Sequence, residues 1–468
     1  MKSQLLRRIM LITGITLMIG TSGMACTDCK DILADVFAQI CAEPTPTSLQ
    51  GLTAQIASTA TAAVAAETVC PDTAGGADCA AFIVAHFDEL LSKPVGIVVS
   101  SDLGGTTELR YYDANASFVS DSNNLSGNVL AAVAAGDFDG DGTDEVVAVR
   151  LVSPSESDLY YFEFGAGTTF ADTSNFSNSQ FADIVAGNLD GDAEDEVVVV
   201  NIKGVGDGVG ADWETELVFY EPLSSSHFLD TANRSGRFRA IALGQLDGDL
   251  ALEVVAVRDA RANVNAGADN DVWMYESNGS FVNDSSNRNG TFSGVDTGCF
   301  DRTGTAANII VSNDRQFINL KGHSIAYQGS TAAGSVSNQF DSANRNGGQV
   351  AIAAGNFDDD VFDEFVALIE DGANIGFLEL FDESATYQSE YKAGPGLAVA
   401  VDTADLDGDF SHEVVVLWSG GNLGAGNSQV IIYGIDFSQP VGSRISVRNS
   451  SAVFTGTGTD VAVLLQKP

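Results

Sequence analysis

The sequence predicts an all-β protein, a seven-bladed β-propeller preceded by a short helical segment. Three observations lead to this prediction. An acidic phrase, first written GDFDGDGTDE (136–145), recurs in phase along the chain. Each copy stands between two apolar, β-branched runs. The distance between copies suits one four-stranded unit, which is typical of a propeller blade.

The acidic phrase occurs six times, and a faded seventh copy ends the chain. The copies are 49 to 57 residues apart, measured between their central aspartates. The fourth copy, GCFDRTGTAANII (298–310), is degraded but in phase, and the last is AVFTGTGTDVAVLL (452–465). The central aspartates of the six copies are Asp139, Asp190, Asp247, Asp301, Asp358 and Asp407.

Each unit predicts four strands in a constant order. An apolar strand leads into the acidic phrase, a second strand follows at once, and a third and fourth strand come after a variable polar loop. Residues 95–124 match the later part of a unit but have no acidic phrase before them. We therefore expect the last strand of the chain to pair with the strand that starts near Val95, which closes the ring.

The N-terminal part differs from the repeats. Residues 1–25 have a basic start, a short apolar stretch and small residues at the end, which predicts a secretory signal peptide. Residues 26–93 show helical spacing of apolar residues, and 94–468 form the propeller. The candidates for two disulfides are Cys29, Cys41, Cys70 and Cys79, with Cys299 left as a buried free thiol.

Cys26 is a candidate for lipid attachment, because it follows the predicted cleavage site in a sequence, SGMAC, that resembles a bacterial lipobox. The usual leucine of that motif is replaced by Gly23. We expect a secreted or cell-surface protein that contacts a membrane only through such an anchor.

The charge balance is strongly acidic, with 22 basic and 64 acidic residues and a net charge of −42. This excludes binding to nucleic acid, which requires a basic surface. An acidic surface suited to a salty medium and a set of divalent-cation sites both remain. Only the cation sites explain why the acids come in repeated clusters.

The first acidic phrase has the donor pattern of a calcium loop. Its acids stand at positions 1, 3, 5 and 9, and the carbonyl of position 7 adds another oxygen, as Ca²⁺ requires. An EF-hand is excluded, since position 12 is Ala148 and the flanking runs are strand-like. The predicted donors are Asp137, Asp139, Asp141, Thr143 (carbonyl) and Glu145.

This pattern resembles the FG-GAP/VCBS repeats of the integrin α-subunit propeller and its bacterial relatives, over roughly residues 95–468. The resemblance implies a seven-bladed propeller with calcium in the hairpins between first and second strands, about five Ca²⁺ per chain. The family's Asp at position 9 is Glu throughout, and its Gly at position 6 survives only as Gly142.

The resemblance extends the ligand set to four further blades, with the carbonyl donor named fourth in each. The second, third, fifth and sixth sets are Asn188, Asp190, Asp192, Glu194 and Glu196; Gln245, Asp247, Asp249, Ala251 and Glu253; Asn356, Asp358, Asp360, Phe362 and Glu364; and Asp405, Asp407, Asp409, Ser411 and Glu413. In the fourth blade, Cys299, Asp301 and Thr303 offer too few carboxylates, so no metal is expected there.

A second repeated phrase links the fourth strand of one blade to the first strand of the next. In the family, this connection lies on the face opposite the calcium hairpins. Arg234, Arg288 and Arg345 occupy the same place in three successive blades, and Trp213 lies in a long loop that we expect on the same face. These four side chains are candidates to bind a glycan or a protein partner. The alternative is that the arginines only offset local acidity in a tight turn.

The function expected from these observations is that of an extracellular calcium-binding propeller that binds or adheres to a glycan or protein. The four histidines fall in unrelated contexts, and the sequence contains no zinc spacing, phosphate loop or nucleophile elbow. We therefore predict no catalytic residue. The alternatives are a polysaccharide-active lyase or hydrolase on a propeller scaffold, and a structural component of the cell surface.

Overall fold

The computed structural model describes residues 93–466 with gaps. The gaps are 123–124, 127–128, 154–155, 165–168, 173–175, 178, 191–193, 204–213, 222–226, 245, 247–250, 260–269, 287, 289, 302–305, 315–320, 331–333, 344, 359–361, 371–375, 393 and 408–410. The predicted signal peptide, the helical segment up to residue 92 and its five cysteines lie outside the described residues.

The described chain is almost entirely β-strand, and its strands follow one another in seven groups. The group at the start is β1 (Lys93–Asp102), β2 (Thr106–Tyr112), β3 (Phe118–Asp121) and β4 (Leu125–Ser126). The next is β5 (Val129–Gly136), β6 (Glu145–Ser153), β7 (Glu156–Phe162), β8 (Thr169–Asp172) and β9 (Phe176–Ser177). It is followed by β10 (Ser179–Gly187), β11 (Glu196–Lys203), β12 (Glu214–Tyr220), β13 (His227–Asp230) and β14 (Arg234–Ser235).

The middle of the chain continues in the same order. It contains β15 (Arg237–Gly244), β16 (Glu253–Asp259), β17 (Asn270–Tyr275) and β18 (Phe281–Asp284). The next group is β19 (Thr291–Asp301), β20 (Ala306–Asp314), β21 (Lys321–Ser330), β22 (Ser335–Asp341) and β23 (Arg345–Asn346).

The last two groups complete the chain. The first of them is β24 (Gly348–Gly355), β25 (Glu364–Glu370), β26 (Gly376–Phe381) and β27 (Tyr387–Tyr391). The second is β28 (Leu397–Ala404), β29 (Glu413–Ser419), the short 3₁₀ helix η1 (Gly421–Leu423), β30 (Asn427–Ile435), β31 (Ile445–Ser450) and β32 (Phe454–Thr455). The final strand is β33 (Thr457–Gln466). Among the described residues, no helix is long and apolar enough to cross a membrane.

These strands form seven antiparallel sheets, which are the seven blades of a β-propeller. Blades one to six begin at β5, β10, β15, β19, β24 and β28, and each runs from its inner to its outer strand in chain order. Blade seven joins both ends of the described chain, because β33 pairs with β1 and so supplies its innermost strand. The all-β, seven-bladed architecture and the closure of the ring predicted from the sequence are confirmed.

The core lies between neighbouring blades. Second and third strands are nearly continuous runs of buried residues, such as the seven buried residues of EVVVVNIK in β11 and the fully buried strand NDVWMY in β17. Strands covered on both faces are expected to be apolar throughout. Each cluster of buried side chains combines residues of two adjacent blades, and Trp418 of blade six is fully buried in one of them.

The innermost strands carry four aspartates that bridge neighbouring blades. An innermost strand is paired on one side only, so it leaves backbone N–H groups unpaired by the sheet on the other. One carboxylate oxygen of each aspartate accepts such an N–H from the next blade at 2.7–2.9 Å. The four links are Asp183 to Ile241, Asp296 to Ala354, Asp402 to Val463 and Asp460 to Val133.

The environment of these aspartates raises their pKa. Burial is the main cause, and it brings the pKa to about 7 for Asp183 and Asp296, about 6 for Asp402 and about 8 for Asp460. The negative charges of Asp183 and Asp402 add to the rise at Asp460. The side chains are half-buried rather than sealed from solvent, so water screens part of this effect.

We expect the propeller to lose stability as the pH rises from about 4 to about 8, since the folded state holds these protons more tightly than the unfolded state. Asp460→Asn should flatten the dependence of the free energy of unfolding on pH in this window, by at most ~1.4 kcal/mol per pH unit. Urea unfolding at several pH values in saturating Ca²⁺ measures the slope. Parallel curves for the variant and the natural protein would contradict the assignment.

Candidate functional site

The five loops predicted to bind metal share a buried glutamate at position 9. Each glutamate begins the second strand of its blade and is at most 3% exposed. One carboxylate oxygen accepts the backbone N–H of position 2, so the side chain spans its own loop. The pairs are Glu145 with Phe138 (2.9 Å), Glu196 with Leu189 (2.6 Å), Glu253 with Leu246 (2.6 Å), Glu364 with Phe357 (2.8 Å) and Glu413 with Leu406 (2.8 Å).

The loop of blade one is described in full, and its aspartates fold inward on the backbone. The bonds are Gly142 N–H to Asp137 (3.0 Å), Asp141 N–H to Asp139 (3.1 Å) and Thr143 N–H to Asp141 (2.9 Å). The backbone φ angles of the two glycines of the loop are 71° at Gly140 and 89° at Gly142. Residues other than glycine rarely adopt such positive φ angles. The sequence GDGT therefore dictates a tight loop that holds its acids close together.

Among the described residues, three carboxylates converge on one point in two of the blades. Oxygens of Asp137, Asp139 and Glu145 lie within 4.8 Å of one another. The equivalent residues of blade six, Asp405, Asp407 and Glu413, are grouped in the same way. All these donors are oxygens, which are the ligands that Ca²⁺ prefers, and the spacing is compatible with a single ion between them.

Burial and neighbouring negative charges disfavour the ionised form of Glu145 in the first of these groups. Burial raises the pKa of Glu145 to about 8, and the charges of Asp139, Asp137 and Asp141 contribute to the rise. The N–H of Phe138 acts in the opposite direction. A divalent cation would offset the repulsion, so the residues present fit the group that the sequence predicts.

The other three loops are described only in part. In blades two and five, the asparagine of position 1, the aspartate of position 3 and the glutamate of position 9 are described, and in blade three only positions 7 and 9 are. The predicted ligands outside the described residues are Asp192, Gln245, Asp247, Asp249, Asp360 and Asp409. The predictions at these positions stay predictions.

The acidic loops also join neighbouring blades, which the sequence did not indicate. The N–H of position 8 donates to the carbonyl of position 1 in the preceding blade at three seams. These bonds run from Asp195 to Asp137 (2.8 Å), from Leu252 to Asn188 (2.9 Å) and from His412 to Asn356 (2.8 Å). Since position 1 is also a predicted ligand, an ion bound in a loop would stiffen the seam to the next blade.

The three arginines of the second phrase lie on the face away from the acidic loops, as predicted. Arg234 and Arg345 stand in β14 and β23, which pair with the first residues of third strands, and Arg288 forms a bridge with Asn270 at the start of β17. The acidic loops are at the other end of these sheets, where first strands end and second strands begin.

Two of these arginines pack closely against the next blade. The guanidinium of Arg234 lies 4.9 Å from the ring centre of Trp273 and 4.7 Å from that of Phe281. That of Arg345 lies 3.9 Å from the ring centre of Tyr387 and 2.9 Å from the buried carboxylate of Glu379. Cation–π contacts and a partly buried ion pair give these residues a structural role between blades.

Arg288 lines a cavity. The cavity has a volume of about 430 Å³ and is formed by Ser286, Arg288, Tyr327, Val336, Ser337 and Asn338 of blades three and four. The guanidinium lies 3.7 Å from Asp341, at the long limit for an ion pair. Trp213, the fourth ligand-binding candidate, is outside the described residues.

Comparisons with known proteins add little beyond the fold. Neither the protein-family models nor the curated proteins give a match. A hypothetical selenium-binding protein from Sulfolobus tokodaii is similar in structure, with 10% identity, 79% of this chain and 93% of that chain covered, and a TM-score of 0.49.

Two other propellers are similar at the same low level of identity. The Dos1 propeller has 10% identity, 73% and 79% coverage and a TM-score of 0.43. The Aleuria aurantia lectin, in complex with Fucα1-6GlcNAc, has 9% identity, 70% and 96% coverage and a TM-score of 0.40. At these identities the similarities concern the fold alone, and the chain is a seven-bladed β-propeller.

Proposed function

We propose that this protein is an extracellular, calcium-binding β-propeller of the FG-GAP/VCBS type, which acts as a binding module for a glycan or protein partner. The observation that carries the proposal is the convergence of three carboxylates in the loops of blades one and six. The recurrence of the same buried glutamate in five blades supports a site of one design repeated around the ring.

The residues of each loop have distinct roles in this proposal. The side chains of positions 1, 3, 5 and 9 would hold the ion, with the carbonyl of position 7. The glutamate uses one oxygen to tie the loop to its own strand. Bound Ca²⁺ supplies positive charge that holds the carboxylates together, and it joins two strands of the blade and, through position 1, the seam to its neighbour.

The ions give the propeller a rigid frame, and the opposite face is left for a partner. We expect that face to carry the sequences 203–216 and 259–271, which differ from blade to blade. Loops of different length on a repeated scaffold are the usual place for specificity. An extracellular location is supported by the N-terminal pattern, and Ca²⁺ concentrations outside cells suit sites with Kd values of about 10⁻⁴ to 10⁻³ M.

The metal part of the proposal predicts about five Ca²⁺ per folded chain. Asp139→Asn should remove one ion and leave the others, because it changes a ligand of blade one only. Native mass spectrometry in Ca²⁺ counts the ions, and Asp102→Asn, outside the acidic loops, is a matched control. A count of one or none in the natural protein would overturn the metal sites.

The ligand part predicts binding at the cavity beside Arg288. We expect Arg288→Ala to weaken binding to an acidic glycan at least about tenfold, because a guanidinium that faces a cavity can pair with a carboxylate. A glycan array with and without Ca²⁺ identifies the ligand and measures the loss. Binding that survives Arg288→Ala would place the contact elsewhere on the chain.

A further inference from the structure

One of the two best-formed acidic groups already contains a cation from the protein itself. Arg448 lies on β31, the fourth strand of blade six. Its guanidinium contacts the carboxylates of both Asp407 and Glu413. Asp407 and Glu413 are the two acids that converge with Asp405 in the predicted sixth calcium loop. The Glu413 side chain is only 4% exposed, so this pair is partly shielded from water.

Among the fourth strands of blades one to four, six and seven, only that of blade six has an arginine at this position. In five blades of the described chain, the residue directly after the fourth strand donates its N–H to the third strand: Ser122, Thr231, Ser285, Ser342 and Ser451. Three residues before it stand Val119, Phe228, Val282, Gln339 and Arg448, respectively. In blade one, the matching phrase FADT has Phe170 there. Loops one and six thus have the same acids but differ in this neighbour.

We propose that Arg448 is a built-in competitor of the metal in the sixth acidic loop, so that this loop fills at a higher Ca²⁺ concentration than the loop of blade one. The inference rests on the proposed function, since it requires that the loops bind Ca²⁺. A guanidinium bound to these two carboxylates repels an incoming Ca²⁺ ion and uses lone pairs that the ion needs, so the ion binds less favourably unless it displaces the arginine.

The competition has two consequences of opposite sign. Without metal, Arg448 neutralises charge beside the buried Glu413, and the sixth loop is less strained by repulsion than the first. With metal, breaking two charge-assisted hydrogen bonds reduces the affinity of the ion. Loop one fills first as Ca²⁺ rises, and loop six fills later and releases a guanidinium to the solvent at the outer edge of the blade.

The test compares the natural protein with Arg448→Gln, which keeps hydrogen bonding but removes the charge, and Arg448→Lys, which keeps the charge. Calcium titrations followed by native mass spectrometry give the midpoints. Asp405→Asn, which changes a residue outside the two arginine contacts, identifies the ion of loop six, and Asp139→Asn identifies that of loop one.

We expect Arg448→Gln to lower the Ca²⁺ midpoint of loop six about tenfold and to leave that of loop one unchanged, with Arg448→Lys close to the natural protein. An unchanged or higher midpoint for loop six would overturn the inference while the metal sites stand. If neither loop binds an ion in the natural protein, the proposed function itself fails, and the competition with it.

Thermal unfolding gives an independent readout. In a chelator, Arg448→Gln should melt below the natural protein, because Glu413 loses its counter-ion. In saturating Ca²⁺ the difference should vanish or change sign, because the ion replaces the guanidinium. An equal loss of melting temperature in both conditions would show that Arg448 is only a structural residue and would overturn the proposal.

Discussion

Truncation of the chain after Gly456 is expected to prevent the formation of a stable monomer. The removed strand, β33, pairs with β1 over nine residue pairs and provides the innermost strand of blade seven. It buries Val461, Val463 and Leu464, each contributing roughly 1.5–3 kcal/mol. That sum is comparable to the whole free energy of unfolding of a typical protein, about 5–15 kcal/mol.

The truncation also opens an edge. β1 would present its unpaired backbone groups, and exposed edges of this kind lead to association between chains. Two links between blades would be lost as well, because Asp402 accepts the N–H of Val463 and Asp460 bonds to blade one. Size-exclusion chromatography should show aggregates in place of a monomer, and circular dichroism a loss of cooperative unfolding.

The control removes only residues 467–468, which follow the last strand, and it should leave the protein unchanged. A peptide of residues 457–466 added to the truncated chain should restore the monomer in part, by adding the missing strand. A truncated chain that stays monomeric and keeps its melting temperature would show that the contacts of β33 are not needed to close the ring.

The repeat made this architecture predictable from the sequence. Each unit repeats its strand order, and the acidic phrase marks the same turn in successive blades. An ambiguous strand assignment in one unit can therefore be resolved by comparison with the others. The closure of the ring followed from the half-units at the two ends of the repeat region. The glutamate of position 9 was also predictable as a site residue, since it recurs in five copies.

Contacts between blades were not predictable in the same way. The aspartates of the innermost strands stand in the phrases ADIV, VDTG, VDTA and TDVA, of which only VDTG and VDTA share a pattern and a distance to the acidic phrase. Their partners are about one blade away in sequence, or most of the chain away for Asp460 and Val133. The sequence around each aspartate therefore does not indicate which backbone N–H group of the next blade its carboxylate accepts.

The arginines show the same limit. The sequence shows that the arginines occupy equivalent places in the repeats. It does not show that Arg345 contacts the ring of Tyr387 and the carboxylate of Glu379 in the next blade. Arg448 does not recur in the repeats. It contacts Glu413 and Asp407, which precede it by 35 and 41 residues, because the fourth strand of the blade folds back beside the acidic loop. A residue that occurs in one blade only is not identified by a comparison of the repeats.

Removal of Ca²⁺ is expected to lower the melting temperature by about 10 °C or more. Each ion stabilises the folded chain by ~2.7 kcal/mol when free Ca²⁺ is ~100 times its Kd, and about five sites add up to a large fraction of the total stability. The physical reason lies in loops such as that of blade one, where buried and clustered carboxylates repel one another. Without the ions, this repulsion acts on the seams between blades as well.

Differential scanning calorimetry in excess Ca²⁺ and in EDTA measures the change. Restoring Ca²⁺ should restore the melting temperature, and Mg²⁺ at the same concentration should be less effective, because it demands a tighter octahedral geometry than these loops offer. Raising the ionic strength with a monovalent salt controls for simple screening of the negative surface. If salt alone reproduces the effect of Ca²⁺, the acids are a solvated surface. If only Ca²⁺ restores stability, and Asp139→Asn removes part of the gain, the acidic loops are specific metal sites that hold adjacent blades together.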